Sequence, residues 1–567
     1  MQIYCYLPSS LSEKESKFYS LKIEQFKYLI NKISPLKFIN TNKNQNKILI
    51  DVKIETNIQE KTAYLQTDIS TENLSSKSII SNLNSVGFSM INYAKLDSFT
   101  INEPNTRIFH FKLSYNLLII GNGFDIAHKL KTKYSDFLDE VYSLYKISNE
   151  IKIHSIDDII QYKDKNIIKK FNILFNILFK ANINEYLDEL LNRQFYLNAL
   201  CIELIKNNEF NTTEKKLYEK YNYIYKNDPN PEVYNLAHII LEKFSKILET
   251  FSSKNTTGTF SISDEDVHLI IRWFITKIYI NDNLLIIYFI DKYNHKKLLG
   301  DNWIDIETEL SIIIKRLESI KLNHTNPYLN INSLTSDTFL RELLSIIFKT
   351  EDKNIFKYDE NIFKYNIKNL TKNLNGFIVL LRSYLEYIEN NFKYTETKNT
   401  EDISSICLSI THLLNFNYTD IFRKTYCYLP DDNVDFIHGK LSENNLVIGI
   451  SETLDKEYEN TELSCIKFKK YYQRILKKTG AKYDDWINTI NFDTIYIYGH
   501  SLDPTDKEIL ATIIDNSKKI IIYYHSTTSY SQQIVNLIKI LGKQKFLKYV
   551  SKSENKIEFV PQINLYL

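Results

Sequence analysis

Glycine, proline and cysteine are scarce in this sequence. Its 567 residues include 11 glycines, 9 prolines and 5 cysteines. The cysteine count is odd and no two cysteines form a CxxC pair, which argues against a disulfide framework and against a zinc knuckle. We therefore expect a protein that works in a reducing cytoplasm and needs no metal.

Strong net charge and long apolar runs are also missing. The formal net charge is +2, so no basic field indicates nucleic acid or an anionic membrane surface as partner. Apolar runs such as 284–290 are far too short to span a bilayer. The first residues lack the basic region and apolar core of a signal peptide. These features predict a cytoplasmic protein, and they indicate neither a membrane nor a nucleic acid as its partner.

What the sequence does contain is the pattern of two folded parts, of which the first is small. Residues 1–112 carry runs rich in β-branched and aromatic side chains, which predict an α+β domain of unknown role. The polar stretch 97–107 is predicted to be the linker that leaves this domain. The strands of this first domain are expected at 1–7, 46–54, 61–69 and 87–96.

The remainder of the chain, 113–567, predicts an α/β domain. An apolar strand at 115–120 is followed by mostly helical periodicity to about 405. Several later runs are apolar without alternation, as in parallel strands that are covered on both faces. We predict a Rossmann-like parallel sheet with a large helical insertion at about 140–405. Its later strands are expected at 411–417, 434–438, 445–450, 493–500 and 519–525.

Glycines stand at the ends of several predicted strands. The stretch LLIIGNGFDIAHKL (117–130) places two of them between an apolar run and a helix start. Such a turn presents backbone N–H groups to a phosphate at the carboxyl edge of a sheet. A tight strand-to-helix turn that binds nothing needs the same glycines. The five glycines at strand ends are Gly121, Gly123, Gly439, Gly449 and Gly499.

Polar side chains follow three of the same strands. Asn417 ends LNFN, His438 ends DFIH and His500 ends IYGH. A histidine beside a glycine is a candidate general base, and an asparagine can orient a ribose or a water. The alternatives are a core histidine and an Asx turn. Residues 499–503 are not a GxSxG nucleophile elbow, because residue 503 is aspartate. The convergence on one sheet edge predicts a nucleotide pocket.

Five motifs follow one another in the sequence: IIGNGFDIAHKLKTKYSDFL (119–138), NWIDIE (302–307), FNYTDIF (416–422), IHGKL (437–441) and GHSLDPTD (499–506). In this order they resemble the AbiH family of bacteriophage abortive-infection proteins over roughly 115–525. AbiH proteins are in turn similar to the sirtuin-like NAD-binding superfamily. The resemblance implies a sirtuin-like fold in which Asn417 and His438 are catalytic. The nucleotide contacts that it implies are Gly121, Asn122, Gly123, Phe124, Asp125, Gly499, His500, Ser501 and Asp506.

Two departures from the sirtuin-like pattern bear on the chemistry. Thr419 stands two residues after Asn417, where those motifs have aspartate, and Asp420 comes one residue later. The sequence also lacks the cysteine tetrad of the sirtuin zinc module, which counts against protein deacetylation.

The function implied by the resemblance is an anti-phage effector that hydrolyses NAD to nicotinamide and ADP-ribose. NAD would be its substrate, and no metal is expected. Two alternatives stay open: a nucleotide-binding sensor or interaction module without catalysis, and a nuclease, which needs a carboxylate cluster for a metal. The N-terminal domain and the helical insertion are candidate contacts for a phage-derived trigger, a defence partner protein or a second copy of the chain.

Overall fold

The structure of the protein is a computed structural model that describes most of the chain from residue 115 onward. Before that residue it describes only the backbone of five strands. The described ranges are 115–151, 166–179, 269–301, 304–322, 328–348, 355–393, 400–450 and 465–563, apart from 270–271, 274 and 428.

The described strands form three sheets. In chain order they are β1 (Gln2–Tyr6), β2 (Lys53–Asn57), β3 (Thr62–Gln66), β4 (Phe88–Asn92), β5 (Ile108–Leu113), β6 (Asn116–Ile120), β7 (Tyr328–Asn330), β8 (Ile355–Lys357), β9 (His412–Asn415), β10 (Val434–Phe436), β11 (Thr494–Tyr498), β12 (Lys519–Tyr524) and β13 (Ile557–Pro561).

The described helices lie between β6 and β13 in the chain. In chain order they are α1 (Asn122–Ala127), α2 (Tyr134–Glu150), α3 (166–179), α4 (Leu284–Leu298), α5 (Ile306–Leu322), α6 (Ile331–Leu334), α7 (Thr338–Phe348), α8 (Glu360–Asn390), α9 (Glu401–Ile406), α10 (Ile421–Thr425), α11 (Lys470–Lys477), α12 (Lys482–Thr489), α13 (Lys507–Asp515), α14 (Thr527–Leu541) and α15 (Lys543–Val550).

The first sheet precedes residue 115 and is mixed. Its order is β2-β3-β1-β5-β4, with β1 and β5 parallel and the other neighbours antiparallel. The strands predicted near residues 2, 62 and 88 are present, and β2 overlaps the end of the strand predicted at 46–54. Strand β5 was not predicted, and the predicted linker 97–107 lies outside the described residues.

The second sheet is parallel throughout, in the order β10-β9-β6-β11-β12-β13. Numbered along the chain, this is the doubly wound order 3-2-1-4-5-6, in which the chain reverses direction across the sheet beside its first strand. Every residue of β6 and β9 is buried, as expected for central strands with covered faces. The predicted Rossmann-like α/β fold is confirmed.

The chain divides into two compact units. Unit 1 contains residues 1–130, 393–440 and 478–567, and unit 2 contains residues 131–392 and 441–477. In unit 1, apolar side chains of the parallel sheet and of α13 and α14 form a buried core that includes Ile119, Leu414 and Ile497. In unit 2, Phe377 of α8 packs edge-on between Phe137 and Phe289, with ring centroids 5.4 and 5.5 Å apart.

One strand prediction was wrong, and one strand of the parallel sheet was missed. Residues 445–450 do not form a sheet strand: Ile450 makes a single bridge to Lys469, and the Gln473 side chain bonds both the N–H and the carbonyl of Ile448. The sequence pattern predicted a strand because this run is apolar. In the structure, however, a glutamine side chain makes the hydrogen bonds of the Ile448 backbone. Conversely, β13 was not predicted; it is the edge strand, where a terminal proline is tolerated.

Candidate functional site

Three glycines join the loops that follow β6 and β11. A Cβ added at Gly499 would lie 2.1 Å from the backbone nitrogen of Phe124, and Gly499 has φ of +67°. One added at Gly123 would lie 2.8 Å from the Gly499 carbonyl oxygen, and one at Gly121 would lie 2.9 Å from the Cα of His500. The two loops therefore approach so closely that only glycine fits on either side.

Hydrogen bonds hold this junction together. The N–H of Gly121 donates to the Tyr498 carbonyl at 3.2 Å, and that of Gly123 donates to the Gly499 carbonyl at 2.8 Å. The N–H of Phe124 donates to the Gly121 carbonyl at 2.8 Å. These N–H groups of the turn are thus engaged by backbone oxygens, so phosphate recognition at this edge needs donors besides them.

Asp125 links the glycine turn to the loop after β9. Its carboxylate is buried and accepts hydrogen bonds from the Asn417 amide at 3.1 Å and from the Thr419 hydroxyl at 2.6 Å. The Asn417 amide also donates to the Gly121 carbonyl at 3.0 Å. Both Asn417 partners are acceptors, which fixes the orientation of the amide and commits its two protons. Only the Asn417 Oδ1 is left as an acceptor for a ligand.

The loop after β9 is shaped by its own asparagines. Asn415 accepts a hydrogen bond from the N–H of Asn417 at 2.8 Å and donates one to the Thr419 carbonyl at 2.8 Å. This is the local side-chain bonding that makes asparagine favourable where a strand ends. The Asx turn that the sequence left as an alternative is present, and it places Asn417 beside Asp125.

His438 follows β10 and is directed at a carboxylate from another loop. It is 7 % exposed, and its Nε2 lies 3.6 Å from Asp506 Oδ1. Gly439 has φ of +87°, the left-handed conformation that favours glycine. The turn after His438 therefore depends on the glycine that the sequence places there.

A second histidine faces the same carboxylate. His500 Nε2 lies 3.9 Å from Asp506 Oδ2, and its Nδ1 accepts a hydrogen bond from the N–H of Leu502 at 2.9 Å. Leu502 is buried with φ of +56°, a conformation that costs a branched side chain on the order of 1–3 kcal/mol. The Phe416 ring contacts both imidazoles, with centroids 5.6 Å from His438 and 4.3 Å from His500.

A third histidine, His128, makes a hydrogen bond to the glycine turn, and it was not predicted from the sequence. His128 is buried; its Nδ1 donates to the Phe124 carbonyl at 2.7 Å, and its Nε2 accepts from the Tyr426 hydroxyl at 2.6 Å. That hydroxyl accepts from the N–H of Thr400 at 3.0 Å. Burial lowers the pKa of His128 below 6.5, and the bond to Phe124 opposes this. The signal in the sequence was a histidine four residues after Phe124, on the same helical face.

The structure brings most of the predicted residues to one edge of the sheet, all within unit 1. Ser501 differs, because its side chain is exposed while its backbone carbonyl accepts a hydrogen bond from Asn536. Gly449 lies in unit 2 and does not follow a described sheet strand, so its prediction as a strand-end glycine was wrong. The residues that gather are Gly121, Asn122, Gly123, Phe124, Asp125, Asn417, His438, Gly499, His500 and Asp506.

The NWIDIE motif lies in unit 2. Asn302 and Trp303 are outside the described residues. Asp305 accepts hydrogen bonds from the backbone of Glu307 and Thr308 at the start of α5. Glu307 forms an ion pair of 2.7 Å with Lys470, whose side chain is 4 % exposed. In unit 2 this motif therefore starts a helix and buries a charged pair.

A comparison with protein families finds a match for part of the chain. Residues 272–525 match the family model of bacteriophage abortive infection AbiH. The chain carries an AbiH-family region. No curated protein and no solved structure matches it.

The AbiH match supports a role for this chain in bacteriophage abortive infection. The site residues that fall inside the AbiH region are Asn417, His438, Gly499, His500 and Asp506, whereas the glycine turn at 121–125 precedes it. Within the described residues, no helix has the length and apolar character needed to cross a membrane. Those same residues contain no group of three or more histidine, cysteine or acidic side chains arranged for a metal ion.

Proposed function

We propose that this AbiH-family chain is an abortive-infection effector that cleaves the nicotinamide–ribose bond of NAD. The observation that carries the proposal is that the His438–Asp506 pair and Asn417 lie at the same carboxyl edge of a doubly wound sheet. Ligands of such sheets bind outside this edge, where the strand order reverses. Here that point lies between β6 and β11, whose loops carry Gly121 and His500.

The proposed roles follow from the hydrogen bonds that each side chain already makes. Asn417 has committed its two amide protons to Gly121 and Asp125, so it accepts from a ribose hydroxyl through Oδ1. His438 acts as general base toward the attacking water, and Asp506 stabilises the imidazolium that results. The pair is separated by 3.6 Å, a gap that catalytic contacts commonly close only when substrate binds.

The reaction is a substitution at the anomeric carbon of ribose. The C1′–N bond breaks and its electron pair returns to the pyridinium ring, which leaves as neutral nicotinamide. Water adds to C1′ through an oxocarbenium-like transition state, and His438 takes the proton that the water loses. The products are nicotinamide, ADP-ribose and one proton.

The diphosphate of the substrate needs donors other than the engaged N–H groups of the glycine turn. Lys440, two residues after His438, is a candidate cation. Its Nζ lies 3.4 Å from Asp420 and 5.3 Å from the centre of the Phe436 ring. When the Lys440 side chain rotates toward a phosphate, its ammonium group exchanges the Asp420 carboxylate for that phosphate as its anionic partner.

The test is release of nicotinamide from NAD by the purified full-length chain, with and without lysate of phage-infected cells, followed by mass spectrometry. We expect wild type to release nicotinamide and His438→Gln to be slower by about 10²–10⁴-fold, the usual contribution of a general base. His525→Gln is the matched control, because His525 is exposed.

The outcomes separate the alternatives. If His438→Gln turns over NAD like wild type, His438 is not the base. If calorimetry detects NAD binding but no condition gives nicotinamide, the chain is a nucleotide-binding sensor. If NAD does not bind at all, the proposal is wrong.

A further inference from the structure

We propose that His500 is a positioning residue: it is held as the neutral Nε2–H tautomer by the backbone of Leu502, and it orients Asp506 toward His438. The two histidines then have different tasks, although both face one carboxylate. The assignment to catalysis rests on the proposed function, whereas the tautomer of His500 does not depend on it.

The tautomer follows from one hydrogen bond. The Leu502 N–H can only donate, and it points at His500 Nδ1 at 2.9 Å. Nδ1 must therefore be the acceptor, so the ring proton sits on Nε2. A proton on Nδ1 would place two donors against each other.

The loop after β11 holds the Leu502 N–H in place. Leu502 is fully buried in the core of unit 1, and its positive φ turns its N–H back toward the preceding histidine. The carbonyl of His500 also accepts a hydrogen bond from Gln533 of α14 at 3.2 Å. Both ends of this short turn are thus held by the core. The Nδ1 atom of His500 therefore stays beside the Leu502 N–H as its acceptor.

Asp506 divides its two oxygens between the two rings. Oδ2 lies 3.9 Å from the Nε2 of His500, and Oδ1 lies 3.6 Å from the Nε2 of His438. These separations exceed a hydrogen bond, and a small rotation of the carboxylate shortens either one. Because His500 Nε2 carries a proton, it attracts one oxygen and leaves the other for His438. Phe416, which contacts both rings, limits where the rings can move.

The direct test is ¹⁵N NMR of the full-length chain labelled at histidine, recorded at neutral pH without nucleotide. The His500 signals are assigned by their loss in His500→Gln. We expect the Nδ1 of His500 to show the shift of an unprotonated ring nitrogen and Nε2 that of a protonated one. Protonation of Nδ1, in either tautomer or in the cation, overturns the proposal.

A pair of variants tests the link from His500 to His438. Glutamine keeps a donor near the position of Nε2, whereas asparagine keeps an acceptor near that of Nδ1. We expect His500→Gln to leave the ¹⁵N signals of His438 near their wild-type values, and His500→Asn and Asp506→Asn to shift them. Unchanged His438 signals in both of the last two variants overturn the link.

Folding and function are controlled separately. Asp506 is the residue that precedes α13, and asparagine is as good as aspartate at such a position, so Asp506→Asn should fold. His525→Gln supplies the matched control at an exposed histidine. Since no spectrum requires NAD, the tautomer can be confirmed even if nicotinamide release is never seen.

Discussion

Two glycine-bearing segments look alike in the sequence and differ in the structure. LLIIGNG (117–123) covers the end of β6 and the turn after it, in unit 1. NLVIGI (445–450) lies in unit 2 and forms no sheet strand. In both, glycine permits a close backbone approach: a Cβ at Gly449 would lie 2.4 Å from the Phe468 carbonyl. Around Gly121, however, the approach also gathers Asp125 and Asn417. A glycine after an apolar run therefore reports tight packing, and the side chains nearby decide whether a site forms.

The largest expected effect is that of Gly499→Ala. Its Cβ would lie 2.1 Å from a backbone nitrogen, in a residue whose φ is positive, so the loops after β6 and β11 must separate. We expect the free energy of unfolding in urea to fall by about 4 kcal/mol or more. Gly300→Ala is the control, since Gly300 has φ of +88° with open space around it; it should cost about 1–2 kcal/mol. Equal losses of unfolding free energy in the two variants would show that residue 499 must be glycine because of its positive φ and not because of the close contact.

Gly449→Ala separates stability from function. The added Cβ meets the Phe468 carbonyl, and we expect a loss of about 2–3 kcal/mol, typical of overpacking. Because Gly449 belongs to unit 2, NAD turnover per folded molecule should stay at the wild-type value. A turnover per folded molecule that falls in Gly449→Ala would mean that the segment at 445–450 also contributes to function.

Thr419→Val tests the buried carboxylate. The change removes the hydroxyl that donates to Asp125 at 2.6 Å and keeps the side-chain shape. Hydrogen bonds to charged groups contribute about 1.5–3 kcal/mol, and we expect a loss in this range by urea denaturation. Thr512→Val removes an exposed hydroxyl that bonds Glu508 and should cost less than about 0.5 kcal/mol. If both variants lose equally little, Asp125 does not depend on this donor.

The smallest effect concerns pH. Burial lowers the pKa of His128 below its unfolded value of 6.5. The unfolded chain then binds a proton that the folded chain does not, so the free energy of unfolding decreases as pH falls from about 6.5 toward the folded-state pKa. We expect His128→Gln to flatten this dependence between pH 7.5 and 5.5, measured by urea denaturation. His525→Gln, at an exposed position, should retain the wild-type slope; identical slopes in both variants would contradict the assignment.

The sequence predicted the parallel sheet well, because its central strands are apolar on both faces and end at glycine or polar residues. It misplaced 445–450 because apolar content alone does not reveal that Gln473 satisfies the backbone there. It also predicted which strand ends carry polar residues. It could not predict that the N–H groups of the glycine turn bond the loop after β11, since that contact depends on the register of distant segments. Nucleotide binding by these residues stays a prediction.

The position of β6 in the sheet also sets when the site can exist. Tyr115, which precedes β6, is bonded to the side chain of Asp493, 378 residues later. Ribosomes add roughly 5–20 residues per second, so this strand waits roughly 20–75 s for its partner β11 to be synthesised. His500 and Asp506 emerge later still. A nascent chain therefore carries no assembled site until both of these residues have been synthesised.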